Sequence, residues 1–150
     1  RDAATAGVDG LLVLDLPPEE SADYEQSMSD SNLSVIYLVA PTTPDERIKM
    51  IVKRGTGFVY YISREGVTGM QQTVAANIAE MTAKIHSHTE LPVAVGFGIS
   101  NPDQAKQVAQ NAEAIVVGSA IVNQIAEHGQ SRDIVPKVTE FVQSLMAGIR

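Results

Sequence analysis

Cysteine is absent, so the chain forms no disulfide and offers no thiolate. A cytoplasmic setting is the expectation that follows. Basic residues are few: eleven Lys and Arg stand against eighteen Asp and Glu, for a net charge of −7. That deficit argues against nucleic acid as the main partner, while saying little about any one pocket. No apolar run approaches the ~18 residues of a membrane span, and no signal peptide is visible, so no membrane partner is expected. The three histidines give no metal-ligand spacing: His86 and His88 are two apart and share no helical face, and His128 is distant. There is no Gly-x-Ser-x-Gly and no Ser-His-Asp pattern. Gly96-Phe-Gly98 lacks the third glycine of a dinucleotide fingerprint and comes late in the chain. Neither a metal nor a cofactor is expected.

What is present is an ordinary globular composition. The 150 residues are 44% hydrophobic and 19% charged, enough for a single domain, 1–150, with a real core. The opening segment, Arg1-Asp-Ala-Ala-Thr-Ala-Gly7, reads as a helix end capped by glycine, as though the chain began inside a domain. Apolar runs then alternate with helical patterns. Strands are expected at 8–15, 34–40, 57–63, 92–96 and 114–118. Helices are expected to start at Pro17-Pro18-Glu19-Glu20, at the capping box Thr43-Pro44-Asp45-Glu46, near Thr73, at Asn101-Pro102 and at Ala120, with a last one over 134–146. The strands are near-continuous apolar runs, as in parallel sheets covered by helices. Five βα units fit either an open doubly wound sheet or part of a barrel that needs ~250 residues.

Two glycine-ended runs carry the strongest functional signal: Leu91-Pro-Val-Ala-Val-Gly-Phe-Gly-Ile-Ser100 and Ala114-Ile-Val-Val-Gly-Ser-Ala-Ile-Val122. Each reads as a strand that breaks at glycine and opens a helix. Unpaired N–H groups and the positive end of the helix dipole would then face a ligand, as in a phosphate site. Ser119 is expected both to cap its helix and to donate to phosphate. The loop Glu65-Gly-Val-Thr-Gly69 reads as a lid, or as an ordinary solvated turn. Tyr60 and Tyr61 are adjacent, so only one of them can face a barrel interior. Phe97 could help sandwich a planar ligand. Asp15 ends the first strand, where a general base or a turn residue would both be at home.

In this order the chain contains Leu14-Asp-Leu-Pro-Pro-Glu-Glu20, Leu38-Val-Ala-Pro-Thr-Thr43, Gly57-Phe-Val-Tyr-Tyr-Ile-Ser63, Gly66-Val-Thr-Gly69, Val95-Gly-Phe-Gly-Ile-Ser100 and Val117-Gly-Ser-Ala120. Together these closely resemble the tryptophan synthase alpha chain family over all 150 residues. The resemblance implies an α/β fold of the (β/α)8 TIM barrel family, here an incomplete barrel of five parallel βα units. It implies retro-aldol cleavage of indole-3-glycerol phosphate to indole and glyceraldehyde 3-phosphate, and a beta-subunit partner in an alpha2beta2 complex. Thr68 becomes the lid residue. Gly69, Gly98, Gly118 and Ser119 become the phosphate site. Leu12, Tyr60 and Phe97 become the indole pocket, so Tyr60 is the tyrosine expected to face in.

The departures from that family carry as much weight. Its two catalytic carboxylates sit in Glu-x-Gly-x-Pro and Ser-Asp-Pro…Asp-Gly-Pro segments, and neither occurs here. They are expected upstream of Arg1, on barrel strands one to three. Asp15 belongs by resemblance to the rim near the partner subunit and does not fill the gap. Cleavage needs a base for a glycerol hydroxyl and an acid for indole C3. The chain alone is therefore expected to bind without turnover. The alternative is a non-catalytic module that holds a phosphate ester or docks a beta subunit. A further alternative is another phosphate-handling barrel enzyme, such as the indole-glycerol-phosphate synthase group, which lacks this Gly-Val-Thr-Gly loop.

Overall fold

The computed structural model describes residues 1–63, 71–96 and 98–149, with residues 71–75 in backbone only. Among these residues, five strands form one parallel sheet: β1 (Gly10–Leu12), β2 (Ser34–Val39), β3 (Val59–Ile62), β4 (Val93–Gly96) and β5 (Ala114–Val116). Among the described residues, seven α-helices accompany them: α1 (Asp2–Thr5), α2 (Ala22–Asp30), α3 (Asp45–Arg54), α4 (Gln71–His86), α5 (Pro102–Ala109), α6 (Ser119–His128) and α7 (Ile134–Ile149). No helix of the described residues is long and apolar enough to cross a membrane.

The strand order decides between the two architectures that the sequence pattern leaves open. It runs β1-β2-β3-β4-β5, each strand beside its sequence neighbour. A doubly wound sheet reverses direction at a switch point and carries helices on both faces. Here the winding never reverses, as in a barrel. One face of the sheet holds Val35, Tyr37, Val39, Val59, Tyr61, Val93 and Val95, all packed in the core. The core's other side comes from the helices: Met28, Ile48, Ile51, Val52, Ile78, Ile85, Ala105, Val108 and Leu145. The opposite face carries the alternate residues, among them the cross-strand pairs Leu12–Ile36, Leu38–Tyr60–Ala94 and Ile62–Gly96–Val116. The result is an open arc, a half-barrel with its helices on the convex side.

The helix ends explain how the chain turns. α1 closes with a Schellman motif: Val8 donates to the Ala3 carbonyl and Gly7 to that of Ala4, both at 3.0 Å. Gly7 takes φ +83°, a left-handed conformation that favours glycine. The Pro17-Pro18 start gives a 3-10 turn, Pro18–Glu20, before α2 begins. The capping box expected at Thr43 does not form. Thr43 Oγ1 instead accepts from the Ala40 amide at 2.9 Å, turning the hydroxyl back toward β2. The residue before α3 is then Pro44, in extended conformation, and its carbonyl takes the Arg47 and Ile48 amides. Strand β1 is shorter than the apolar run 8–15 predicts, because the chain turns away after Leu12.

A polar cluster ties α2 and α3 to the sheet. Arg54 donates to Glu25 from Nε (2.8 Å to Oε1) and from Nη2 (3.1 Å to Oε2). Ser21 Oγ lies 2.7 Å from Glu25 Oε1, 2.8 Å from the Pro18 carbonyl and 2.6 Å from the Tyr37 hydroxyl, which itself donates to Glu25. Ser21 is fully buried and Tyr37 nearly so. Two hydroxyl protons thus serve four short contacts, so two of them are hydrogen bonds at any moment. The Arg54 guanidinium holds the Glu25 carboxyl down to about 2, with help from the two hydroxyls and against the cost of burial. Burial, and then the Glu25 carboxylate beside it, pushes the Tyr37 phenol up.

Candidate functional site

The cleft at the C-terminal ends of β3, β4 and β5 has a volume of about 480 Å3. Tyr60, Gly96, Gly98, Ser100, Gly118 and Ser119 are among the residues that line it. Strand pleating explains why Tyr60 is there. Tyr61 lies 2% exposed in the helix-covered core, so its neighbour must face the concave side. The C-terminal end of β3 is held by the Ser63 amide, which donates to the Gly96 carbonyl at 3.1 Å.

Gly96 has a specific steric reason. A Cβ built there would lie 2.6 Å from Tyr60 Cζ and 2.8 Å from Cε1, so the missing side chain makes room for the tyrosine ring. Gly118 is the opposite case. Its φ is −110°, and an added Cβ meets nothing within 4 Å among the described residues. Packing among the described residues does not demand glycine at this position. What glycine leaves open there is the cleft itself.

The two glycine-ended junctions are not equivalent, which corrects the expectation that both helices open onto the cleft. α5 is closed by its own residues. Asn101 Oδ1 accepts from the Gln104 amide at 3.0 Å, and Gln104 Oε1 reaches back to the Ser100 amide at 2.8 Å. α6 has no side-chain cap. The residue capping it is Gly118 and not Ser119, which is the first helical residue. The Ile121 and Val122 amides both donate to the Gly118 carbonyl, at 3.0 and 3.1 Å. The Ser119 and Ala120 amides precede the first turn and have no intrahelical partner. Their N–H groups, the Ser119 hydroxyl and the positive end of the α6 dipole therefore meet at the cleft.

The remaining candidates fall as follows. Leu12 lies on the concave face, two strands from Tyr60 and outside the residues lining this cleft. Asp15 lines a separate hollow of about 280 Å3 with Leu14, Pro17, Thr43 and Arg47. Thr68, Gly69 and Phe97 lie outside the described residues. Among the described lining residues there is no carboxylate and no cation. As described, this site can hold an anion with amides and a hydroxyl and can stack a flat group on Tyr60. Its described residues include no strong acid–base pair.

Sequence reasoning missed several residues of the cleft. Asn123 lines it from four residues beyond Ser119, and that spacing signals a shared helix face. Gln104, which does not line the cleft but bonds Ser100 that does, was legible too: Asn101-Pro-Asp-Gln104 has capping-box spacing. The packing of Gly96 against Tyr60 had no sequence signal, because it joins two strands.

Comparison with known proteins agrees with this arrangement. The sequence model of the tryptophan synthase alpha chain family matches residues 1–150. The tryptophan synthase alpha chain of Opitutus terrae is 53% identical over 151 residues, which is all of this chain and 57% of that protein. That of Phenylobacterium zucineum is 46% identical, over all of this chain and 54% of its own length. Among solved structures, a tryptophan synthase of Mycobacterium tuberculosis superposes with a TM-score of 0.86 at 35% identity, over all of this chain and 55% of that one. The tryptophan synthase alpha subunit of Legionella pneumophila gives 0.84 at 33%, over 98% of this chain and 54% of its own. The chain thus spans a little over half the length of the relatives it matches, and its arc of five strands matches part of their barrel. With the family model matching from the first residue to the last, the chain belongs to the tryptophan synthase alpha chain family.

Proposed function

We propose that this chain supplies the substrate-binding half of a site that cleaves indole-3-glycerol phosphate to indole and glyceraldehyde 3-phosphate. The observation that carries the reading is the uncapped start of α6, with Gly118 and Ser119, opening onto a cleft walled by Tyr60. In this reading Gly98, Gly118 and Ser119 hold the phosphate, with Gly69 added from the neighbouring loop. Tyr60, Phe97 and Leu12 form the indole pocket, and Thr68 closes over it. The carboxylates that move protons belong to the first three strands of the barrel, supplied by residues outside this chain. A beta subunit is the proposed partner and the cytoplasm the proposed setting.

The chemistry supports that division. Breaking the carbon–carbon bond requires removal of a hydroxyl proton from the glycerol chain and delivery of a proton to indole C3. Amides, a serine and a helix dipole stabilise a phosphate equally well before and during that step, so they contribute binding and little rate. The test is Gly118→Val in the protein as encoded. A Cβ added at this position meets no described atom within 4 Å, and an unchanged circular dichroism spectrum and melting temperature would show that the fold is retained. The Kd for indole-3-glycerol phosphate should rise at least ~10-fold, the loss of one or two hydrogen bonds to a charged group. An unchanged Kd would refute the phosphate assignment.

A further inference from the structure

We infer that Gln104 holds Ser100 as a hydrogen-bond acceptor toward the cleft, so that Ser100 selects a hydroxyl on the ligand and not a phosphate oxygen. The inference rests on the phosphate-ester reading above. Gln104 is 6% exposed, with its side chain folded back over the start of α5. Its Oε1 accepts from the Ser100 amide at 2.8 Å and from Ser100 Oγ at 3.0 Å. A backbone N–H can only donate, so the atom facing it must be the carboxamide oxygen, and the amide orientation follows. That oxygen carries no proton. The proton between it and Ser100 Oγ is therefore the serine's own.

A hydroxyl has one proton to give. With it committed to Gln104, Ser100 presents lone pairs to the cleft that it lines. Lone pairs repel the oxygens of a phosphate dianion and accept from an alcohol. The α6 end of the same cleft has the opposite character, with two amides and the Ser119 hydroxyl. The cleft is thus divided into a donor side for phosphate and an acceptor side for hydroxyl. Its volume of about 480 Å3 accommodates both groups of one ligand. A phosphate ester with a hydroxylated carbon chain satisfies both sides, and a plain alkyl phosphate satisfies one. Gln104 is the positioning residue in this arrangement, pinned in turn by the Asn101 carboxamide on its own amide.

Two non-reacting probes differ only in these hydroxyls: glycerol 3-phosphate and propyl phosphate. Calorimetric titration of the protein as encoded should show tighter binding of glycerol 3-phosphate. Ser100→Ala keeps the amide bond to Gln104 and should weaken glycerol 3-phosphate about 5-fold, the loss of one ordinary hydrogen bond, with propyl phosphate within about 2-fold of wild type. Gln104→Met, similar in length and apolar, frees the serine proton. It should lower the preference for the hydroxylated probe without weakening propyl phosphate. Equal weakening of both probes by Ser100→Ala, or no weakening of either, would overturn the inference while leaving the phosphate site standing. Failure of both probes to bind the wild type would overturn the phosphate reading and the inference with it.

Discussion

Replacing Glu25 by glutamine should remove a measurable, pH-dependent part of the stability. The carboxylate takes two hydrogen bonds from the Arg54 guanidinium and shares the Ser21 and Tyr37 hydroxyls. Its pKa in the folded chain falls from an ordinary 4.5 to about 2, chiefly through Arg54. At about 1.4 kcal/mol per tenfold change in proton affinity, that corresponds to roughly 3 kcal/mol. The paired side chains keep 29% and 23% of their surface in water, so screening reduces the expected value to about 2 kcal/mol. Because the folded pKa is depressed, the contribution is complete above about pH 4.5 and is lost as pH falls toward 2. Glutamine fits the space but turns an NH2 group toward one of the donors. Urea unfolding of the wild type and Glu25→Gln should differ by about 2 kcal/mol at pH 7, and the gap should close progressively below pH 4.5. Other carboxylates titrate in both proteins and cancel in the difference. A gap that stays constant with pH, or falls under about 0.5 kcal/mol at pH 7, the level of an exposed pair, would refute the reasoning.

Gly96→Ala should push the Tyr60 ring further into the cleft that it lines, because the added carbon would lie 2.6 Å from Tyr60 Cζ. Melting should shift little, while affinity for indole-3-glycerol phosphate falls about 10-fold, as expected for a displaced wall residue. Gly148→Ala is the opposite case. Its Cβ would lie 2.5 Å from the Pro102 carbonyl, where α7 crosses the start of α5, and backbone cannot move aside cheaply. Overpacking there should cost about 1–3 kcal/mol in thermal unfolding, outweighing the ~1 kcal/mol that alanine gains over glycine within a helix. An unchanged melting temperature would mean that α7 does not press on Pro102 as described.

Much of the fold was legible because each strand buries a continuous apolar run and each helix follows a turn signal. Periodicity placed β2, β3 and β4 within one or two residues. It could not place the sheet's closure, since five βα units read alike in an open sheet and a barrel. Only the unbroken strand order separates them. Local competition defeated two helix starts. Thr43 bonded backward to Ala40, and Gly118 took the capping position expected of Ser119. The same kind of detail reshaped the site. Both glycine-ended strands looked alike in sequence, yet Asn101 and Gln104 close one helix while the other stays open. The Tyr60–Gly96 contact depends on the register between β3 and β4, where Tyr60 pairs with Ala94 and Ile62 with Gly96. No local pattern encodes that register.

The central claim is that these residues bind the phosphate ester and leave proton transfer to groups outside the chain. Its most direct test is to titrate the folded 150-residue chain with indole-3-glycerol phosphate and assay the same samples for indole. The account predicts saturable binding that Gly118→Val weakens, with no indole above the uncatalysed background. Indole release by the chain alone, or a folded chain that fails to bind, would contradict it.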